Sequence, residues 1–456
     1  MTVSTFKRGL TLPTHKHATE GKAVEKVPLP KQVVIPVNQH FGAPNKSLVS
    51  VGDAVVRGMK IADAASPGPM TVPVHASVCG KVAKIEPRVQ SNNTEGLCIV
   101  IDVDESQNTE AFMQPLDPFT CTKEEALARI RDAGIIGMGG AGFPTHVKLS
   151  PPPGKTVDTL IANGAECEPY LTTDEAAITE KTRLLIKGLA TIMKITGIKR
   201  TIIGMEDNKK ELIPAIEKEL KAGTVPADLS GGISVGLCKT RYPQGGEKML
   251  ITALTGREVP SGCLPMDAGC VVQNVGTTIA IAEAFELGKP LVDRDLTVSG
   301  GACKTPKNIR AAIGTCLKDL PIEIDNGKLA KILYGGPMMG SAVSSMEVPI
   351  QKNTSGIILL TKKETTDEAE GYCIRCARCI RNCPCRLVPV IMNNSLEAED
   401  LDYALKAGLM DCIECGSCTF ICPARIKLVQ RFRVGKQRLR MRQAAAQAAK
   451  PAAAKS

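Results

Sequence analysis

The chain has 456 residues, a formal net charge of +10, 43% apolar and 23% charged residues, and only 3% aromatics with no Trp. That is the balance of a globular protein of roughly three domains, and the scarcity of aromatics argues against a base-stacking surface. No stretch reaches the ~20 apolar residues of a membrane span, and MTVSTFKRGLTLPTHKH lacks the apolar core of a signal peptide, so a cytoplasmic chain is expected.

Residues 31–104 read as short strands punctuated by Gly and Pro. VSVGDAVVRGMKIADA and VPVHASVCGKVAKIEP are two strand-turn-strand units, the pattern of a small β-barrel or sandwich. They resemble biotinyl or lipoyl carriers, but His75, Ala76 and Ser77 stand at the hairpin tip in place of the modifiable Lys.

From Thr122 the texture changes. TKEEALARIRDAG is a helix with a Thr cap and acidic first turn. VDTLIANGA and KRTIIGME are strands; DEAAITEKTRLLIKGLATIMKITG, NKKELIPAIEKELKAG and TTIAIAEAFELG are helices. Alternation of this kind predicts an α/β domain. Residues 291–345 turn β-rich, with RDLTVSGGACKTPKNIRAAIGTCLKDL read as a hairpin followed by a helix, a β-grasp-like module. The glycines of YGGPMMG make a turn. After Cys422 there are basic residues and no acidic ones. Charge alone admits nucleic acid, but no binding motif accompanies it; residues 431–456 are expected to be a basic, Ala-rich tail, with 436–456 a frayed helix without an apolar face or disordered.

Nine of the 18 cysteines lie between Cys373 and Cys422. CIRCARCIRNCP places Cys373, Cys376, Cys379 and Cys383 before Pro384, and CIECGSCTFICP places Cys412, Cys415, Cys418 and Cys422 before Pro423. Both read C-x2-C-x2-C-x3-C-P, 39 positions apart, an internal duplication. Two-residue spacers let successive thiolates point at neighbouring corners of one cube, and the fourth Cys, at the start of a helix leading away, ligates the other cluster. Cys373, Cys376, Cys379 and Cys422 are thus assigned to one [4Fe–4S] cluster, and Cys412, Cys415, Cys418 and Cys383 to a second. The rival, structural zinc, takes two separated C-x2-C pairs and has no use for a third Cys or a repeated C-P. Cys385 is read as a bystander.

GIIGMGGAGFPTHVK satisfies G-x-G-x-x-G at Gly137, Gly139 and Gly142. A helix precedes it and Pro144 follows, which rejects the ordinary Rossmann reading. Gly-rich backbone still lets N–H groups approach a phosphate or a flavin ring, and Lys148 adds a cation. NGAECEPY offers Asn163, Glu166 and Glu168; RYPQGGEK offers Tyr242, Gly245, Gly246 and Glu247; QNVGTT offers Asn274 and Thr277 at a helix start.

Together and in this order, these stretches resemble the flavin- and NADH-binding subunit of respiratory complex I and its relatives, with their GRGGAGFPTGLK-, NADEGEP-, YICGEE- and NNVET-like segments. With the N-terminal LPKQVVIPVNQHFGAP and the paired cysteine motifs, the resemblance is to the C subunits of Rnf complexes, over nearly the whole chain except the tail. It implies four modules and a tail: an N-terminal barrel-sandwich-like domain (1–118), a flavin and NADH-binding α/β domain (119–290), the β-grasp-like module (291–350), a helical two-cluster ferredoxin domain (360–430) and the tail.

By the same resemblance, Gly137, Gly139, Gly140, Lys148, Asn163, Asn274 and Thr277 would hold FMN, with Gly142 and Gly245 completing the Gly-rich turns. Phe143, Glu166, Glu168, Tyr242 and Glu247 would flank the flavin and the nicotinamide. The pattern departs at Met138 (for Arg), Ala165 (for Asp), Cys167 (for Gly) and Gly246 (for Glu). The implied activity is hydride exchange with NAD(H) through FMN, single electrons passing over two [4Fe–4S] clusters and no catalytic acid or base. The implied setting is the cytoplasmic face of the bacterial cell membrane. The implied partners are the other subunits, through which ferredoxin is reached and ion translocation is coupled. A soluble cobalamin-reductase-like enzyme and a non-catalytic electron wire stand as alternatives.

Overall fold

The computed structural model of the chain describes residues 2–65, 68, 70–366 and 368–448. Its centre is a five-stranded parallel sheet. Thr159–Gly164, Arg200–Glu206 and Cys270–Asn274 are near-continuous apolar runs, buried along almost their whole length, as befits a sheet covered by helices on both faces. The order is Val3–Ser4, Ile233–Cys238, Arg200–Glu206, Thr159–Gly164, Cys270–Asn274. The chain steps outward from Thr159–Gly164 through two strands, then returns to its other side for Cys270–Asn274. The reversal lies between those last two strands, where Asn163 and Asn274 are register partners.

Side chains alternate across this sheet. Leu160, Ala162 and Ile203 face a core with Leu185 and Leu189 of the helix Thr173–Thr196 and Ile279 and Phe285 of the helix Val275–Glu286. Ile161 and Val272 face Leu250 and Ile251 of the helix Glu247–Thr255 on the other side. Gly188 lets the first two helices touch, since a Cβ there would stand 2.1 Å from the Thr278 carbonyl oxygen. The expected helix after Thr122 is present as Lys123–Asp132, its capping box closed by Glu125. NKKELIPAIEKELKAG is helical in two parts. Asp207–Leu212 is a 3-10 turn, and the α-helix Ile213–Lys221 starts with Pro214 in its first turn, where a missing N–H costs nothing.

Residues 32–103 form two small antiparallel sheets around one core of Val33, Ile35, Ile61, Val74, Val82, Ile99 and Ile101. The first 30 residues lie elsewhere. Val3–Ser4 extends the parallel sheet, and Val24–Lys26 pairs with Lys307–Ala312.

That second pairing belongs to a six-stranded mixed sheet whose interior includes Gly356–Thr361. The hairpin expected after Val292 is seen as Asp293–Ser299 against Lys307–Ala312. The helix expected after it is not. NIRAAI is strand, because Ile309 and Ala311 point into the core of this sheet, and only the 3-10 turn Leu317–Asp319 follows. Among the described residues no α-helix lies between Leu287 and Ala377, so the helix that a β-grasp wraps is absent here.

The cysteine repeats sit in a helical unit around Met392, Ala404, Leu409, Phe432 and Leu439. The expected helix directly at each fourth Cys begins later, at Pro389 and at Leu428. In the tail the helical alternative is seen as far as Ala448, and it has the apolar face that was not expected. Leu428–Ala448 is one helix, and Phe432 and Leu439 on it are fully buried; its alanines mask an apolar stripe that lies only in its first half. Residues 449–456 of the expected tail lie outside the described residues.

Candidate flavin and iron–sulfur sites

The carboxyl ends of the parallel strands gather the predicted side chains, at the place where open α/β sheets bind ligands. Asn163 ends one strand; its Nδ2 donates to the Gly245 carbonyl at 2.8 Å and its Oδ1 accepts from Ala165 N–H. Asn274 caps the helix Val275–Glu286, accepting from the N–H groups of Gly276 and Thr277. Its Nδ2 donates to Asp174 at 2.9 Å.

The glycine-rich loop runs past this corner. Ile136 and Pro144 pair across its neck, and Gly137 N–H donates to the Phe143 carbonyl at 2.9 Å. Met138 N–H donates to Thr277 Oγ1 at 3.0 Å. A Cβ on Gly139 would come within 3.1 Å of the Asn274 side chain, and Gly142 has a φ of +70°, so both positions suit glycine. A Cβ on Gly140 would meet nothing within 4 Å. Gly142 carbonyl accepts from Phe41 N–H, and the Phe41 and Phe143 rings stack at 6.2 Å, so the barrel domain closes one side. Lys148 reaches Glu247 at 2.5 Å, joining a residue assigned to FMN with one assigned to the nicotinamide.

Behind the loop lies a carboxyl cluster. Glu206 is buried and Glu166 and Glu168 are half-buried, and each keeps one enclosed oxygen without a partner among the described residues. Burial pushes each of them up to about 7, against the opposing charge of Lys16. Sequence reasoning missed Lys16, Asp174 and Glu206. Lys16 lies in an N-terminal segment without periodicity, and Glu206 ends an apolar strand whose carboxyl end was the only signal available. Cys167 is half-buried beside Glu168 and Glu206, its sulfur accepting from Gly245 N–H at 3.3 Å. A Cβ on Gly245 would stand 2.1 Å from the Ala165 carbonyl oxygen.

Tyr242 links this region to the cysteine repeats. Its hydroxyl donates to the Cys415 carbonyl at 2.6 Å, and Glu168 accepts from the Met338 N–H at 3.0 Å. Cys373, Cys376, Cys379 and Cys422 line one cavity of about 110 Å³. Cys383, Cys412, Cys415 and Cys418 line a second, tighter one of about 20 Å³, whose wall also includes Cys385. The duplication is written in the backbone. Arg375 and Glu414, Ala377 and Gly416, and Arg386 and Arg425 all take positive φ, pair by pair at the 39-residue offset. The first two pairs lie between cysteines of a repeat, and the third lies three residues past its fourth cysteine.

Both places fit the groups they would hold. The first offers a backbone cradle, a capped helix N-terminus suited to phosphate, a cation at Lys148 and partnerless buried oxygens. The second offers two sets of four sulfurs around cavities. Burial pushes the Cys412 thiol up to about 11, so iron entering there would displace protons.

The family model described as "RnfC Barrel sandwich hybrid domain" matches residues 4–106, and that described as "Nuo51 FMN-binding domain" matches residues 130–283. The chain is 44% identical to the C subunit of the proton-translocating ferredoxin:NAD(+) oxidoreductase complex of Clostridium ljungdahlii, over 94% of this chain and 93% of that one. It is 39% identical to the C subunit of the Na(+)-translocating ferredoxin:NAD(+) oxidoreductase complex of Acetobacterium woodii, over 95% and 97%. It is 36% identical to the C subunit of the ion-translocating oxidoreductase complex of Rhodobacter capsulatus, over 96% and 84%. Among the described residues no helix is long and apolar enough to cross a membrane. With these identities over nearly its full length, the chain belongs to the RnfC family, the C subunits of ion-translocating oxidoreductase complexes.

Proposed function

We propose that this chain is the peripheral NAD(H)-facing subunit of a membrane-bound ferredoxin:NAD oxidoreductase, holding FMN at the strand ends and two [4Fe–4S] clusters in the cysteine repeats. Partner subunits would carry the electrons to ferredoxin and couple them to ion translocation. The observation that carries the reading is the Tyr242 to Cys415 hydrogen bond, 2.6 Å long, which joins the flavin-like corner to the wall of one cysteine-lined cavity.

When bound, FMN supplies the exchange between a two-electron hydride carrier and one-electron acceptors. The chain's own residues bind and orient. Gly137, Gly139, Gly140 and Gly142 let the backbone approach the cofactor, with Asn163, Asn274, Thr277 and Lys148 around it. Phe143, Tyr242, Gly245 and Glu247 shape the nicotinamide side, while Glu166 and Glu168 hold protons at the buried end. Cys383, Cys412, Cys415 and Cys418 would hold the cluster nearer the flavin; Cys373, Cys376, Cys379 and Cys422, with Cys373 exposed, would hold the outer one. The names of the relatives support the complex and its substrates, and the absence of a spanning helix among the described residues suits a peripheral position on the cytoplasmic face.

The test is stoichiometry. Purified anaerobically, the chain should carry about one FMN and about eight irons. Iron without flavin, even after FMN is supplied, would leave a wire and remove the oxidoreductase reading.

A further inference from the structure

The glycine-rich loop is held from outside its own domain. Lys352 lies in the turn before the strand Gly356–Thr361, and its side chain is fully buried. Its ammonium donates to the Gly134 carbonyl at 2.7 Å and to the Pro73 carbonyl at 2.8 Å. Gly134 is the residue where the chain leaves the helix Lys123–Asp132 and enters the loop. A Cβ there would meet the Lys352 nitrogen at 2.7 Å, so the approach is close by construction. The Lys352 N–H also donates to Gln39 Oε1 at 3.0 Å. One residue thus ties the barrel, the loop and the mixed sheet together.

Its neighbours reach further along the loop. Asn353 Nδ2 donates to the Gly140 carbonyl at 3.4 Å. The Thr354 carbonyl accepts from Arg294 Nε at 2.7 Å, and Arg294 Nη1 lies 3.3 Å from the Met138 sulfur. Arg294 is buried, and its nearest charges are Asp174, Asp295 and Glu166. Met138 stands where the complex I pattern has arginine. A buried guanidinium from the adjoining sheet thus stands beside the Met138 side chain. Gly134, Met138 and Gly140 are all gripped by residues beyond 290.

We propose that the Gln351–Thr354 turn and Arg294 form a positioning clamp that sets the glycine-rich loop in its cofactor-binding shape, so that FMN retention is governed by side chains outside the flavin-like domain. The proposal rests on the reading of the loop as the FMN cradle. Lys352 and Arg294 are positioning residues, acting through the loop backbone. A buried ammonium spent on two backbone carbonyls is costly. Burial, only partly offset by Asp63, holds it down to about 7. That cost is understandable where a loop geometry must be fixed.

The experiment uses the full chain with its clusters, stripped of flavin and titrated with FMN by fluorescence quenching. Three variants are compared: Lys352→Met, the exposed-site Asn353→Ala, and Ile309→Ala, which opens the core of the same sheet away from the loop. Losing one hydrogen bond to the loop should weaken FMN about threefold to tenfold. Lys352→Met should lie at or above the upper end of that range and also lower the melting temperature, because it leaves two buried carbonyls without their donor; Asn353→Ala should lie at the lower end without a change in the melting temperature of the flavin-free chain. Ile309→Ala should lower the melting temperature and leave FMN affinity as in the wild type. Wild-type affinity in both Lys352→Met and Asn353→Ala overturns the clamp, as does an equal loss of affinity in Ile309→Ala. If Lys352→Met does not fold, Asn353→Ala decides. A wild-type chain that takes up no FMN overturns the flavin reading itself and the clamp with it, an outcome distinct from equal binding by all variants.

Discussion

The hydroxyl of Tyr242 donates to the carbonyl oxygen of Cys415 across 2.6 Å, inside a buried contact between the flavin-like domain and the cysteine repeats. Tyr242→Phe leaves that carbonyl unsatisfied and should cost about 1–3 kcal/mol of stability. It should slow the passage of electrons into the iron–sulfur absorbance after NADH is added by a larger factor than it slows flavin bleaching. Stopped-flow traces at two wavelengths separate the two steps.

The cysteine spacing makes a crossed prediction. Cys422→Ala should empty the site of Cys373, Cys376 and Cys379, and Cys383→Ala the site of Cys412, Cys415 and Cys418, because each fourth cysteine lines the other repeat's cavity. Either change should take iron from about eight to about four per chain. Paramagnetic resonance of the surviving cluster then tells which site is left, and the same cluster surviving in both variants would break the assignment.

The buried acids set a pH dependence. Burial raises Glu166, Glu168 and Glu206 from an ordinary 4.5 to about 7. The folded chain therefore holds more protons than the unfolded one between those values. Their contribution is fully present below about pH 4.5 and is lost as pH rises through 7. The melting temperature should fall from pH 5 to pH 7.5, and Glu206→Gln should flatten that fall by about 3 kcal/mol at most. A slope unchanged in the variant would show that Glu206 titrates normally.

The C-terminal helix should be required for the clusters. Lys436 Nζ donates to the Cys412 carbonyl at 2.5 Å and to Glu414 at 2.8 Å, and Phe432 fills the core beneath the cavities. Phe432→Ala should cost about 3–5 kcal/mol. Truncation after Lys427 should yield a chain that loses its iron on gel filtration, whereas a disordered tail would be dispensable.

The sequence shows some levels of this structure more clearly than others. Where one residue type carries the chemistry at fixed spacing, as in the two cysteine runs, the grouping around the cavities is legible in the sequence itself. The alternating strands and helices from Thr122 to Glu286 are equally plain, since each apolar run has its own period. What stayed hidden depends on distant chain segments. NIRAAI has mixed propensity and becomes strand because Asp293–Ser299 and Val24–Lys26 flank it. Lys16, Arg294 and Lys352 carry no local signal, being single charges made functional only by burial against loops far away in the chain. The helix after Leu428 was masked by its alanines and arginines, though Phe432 and Leu439 are seven apart on one face.

The most direct test of one connected path is an anaerobic titration of the purified chain with NADH, followed by its visible spectrum. The account predicts that the flavin band bleaches and the broad iron–sulfur absorbance falls with it, in the same titration and without added mediator. Bleaching of the flavin with the cluster absorbance untouched, or no response in a chain that holds both groups, would contradict it.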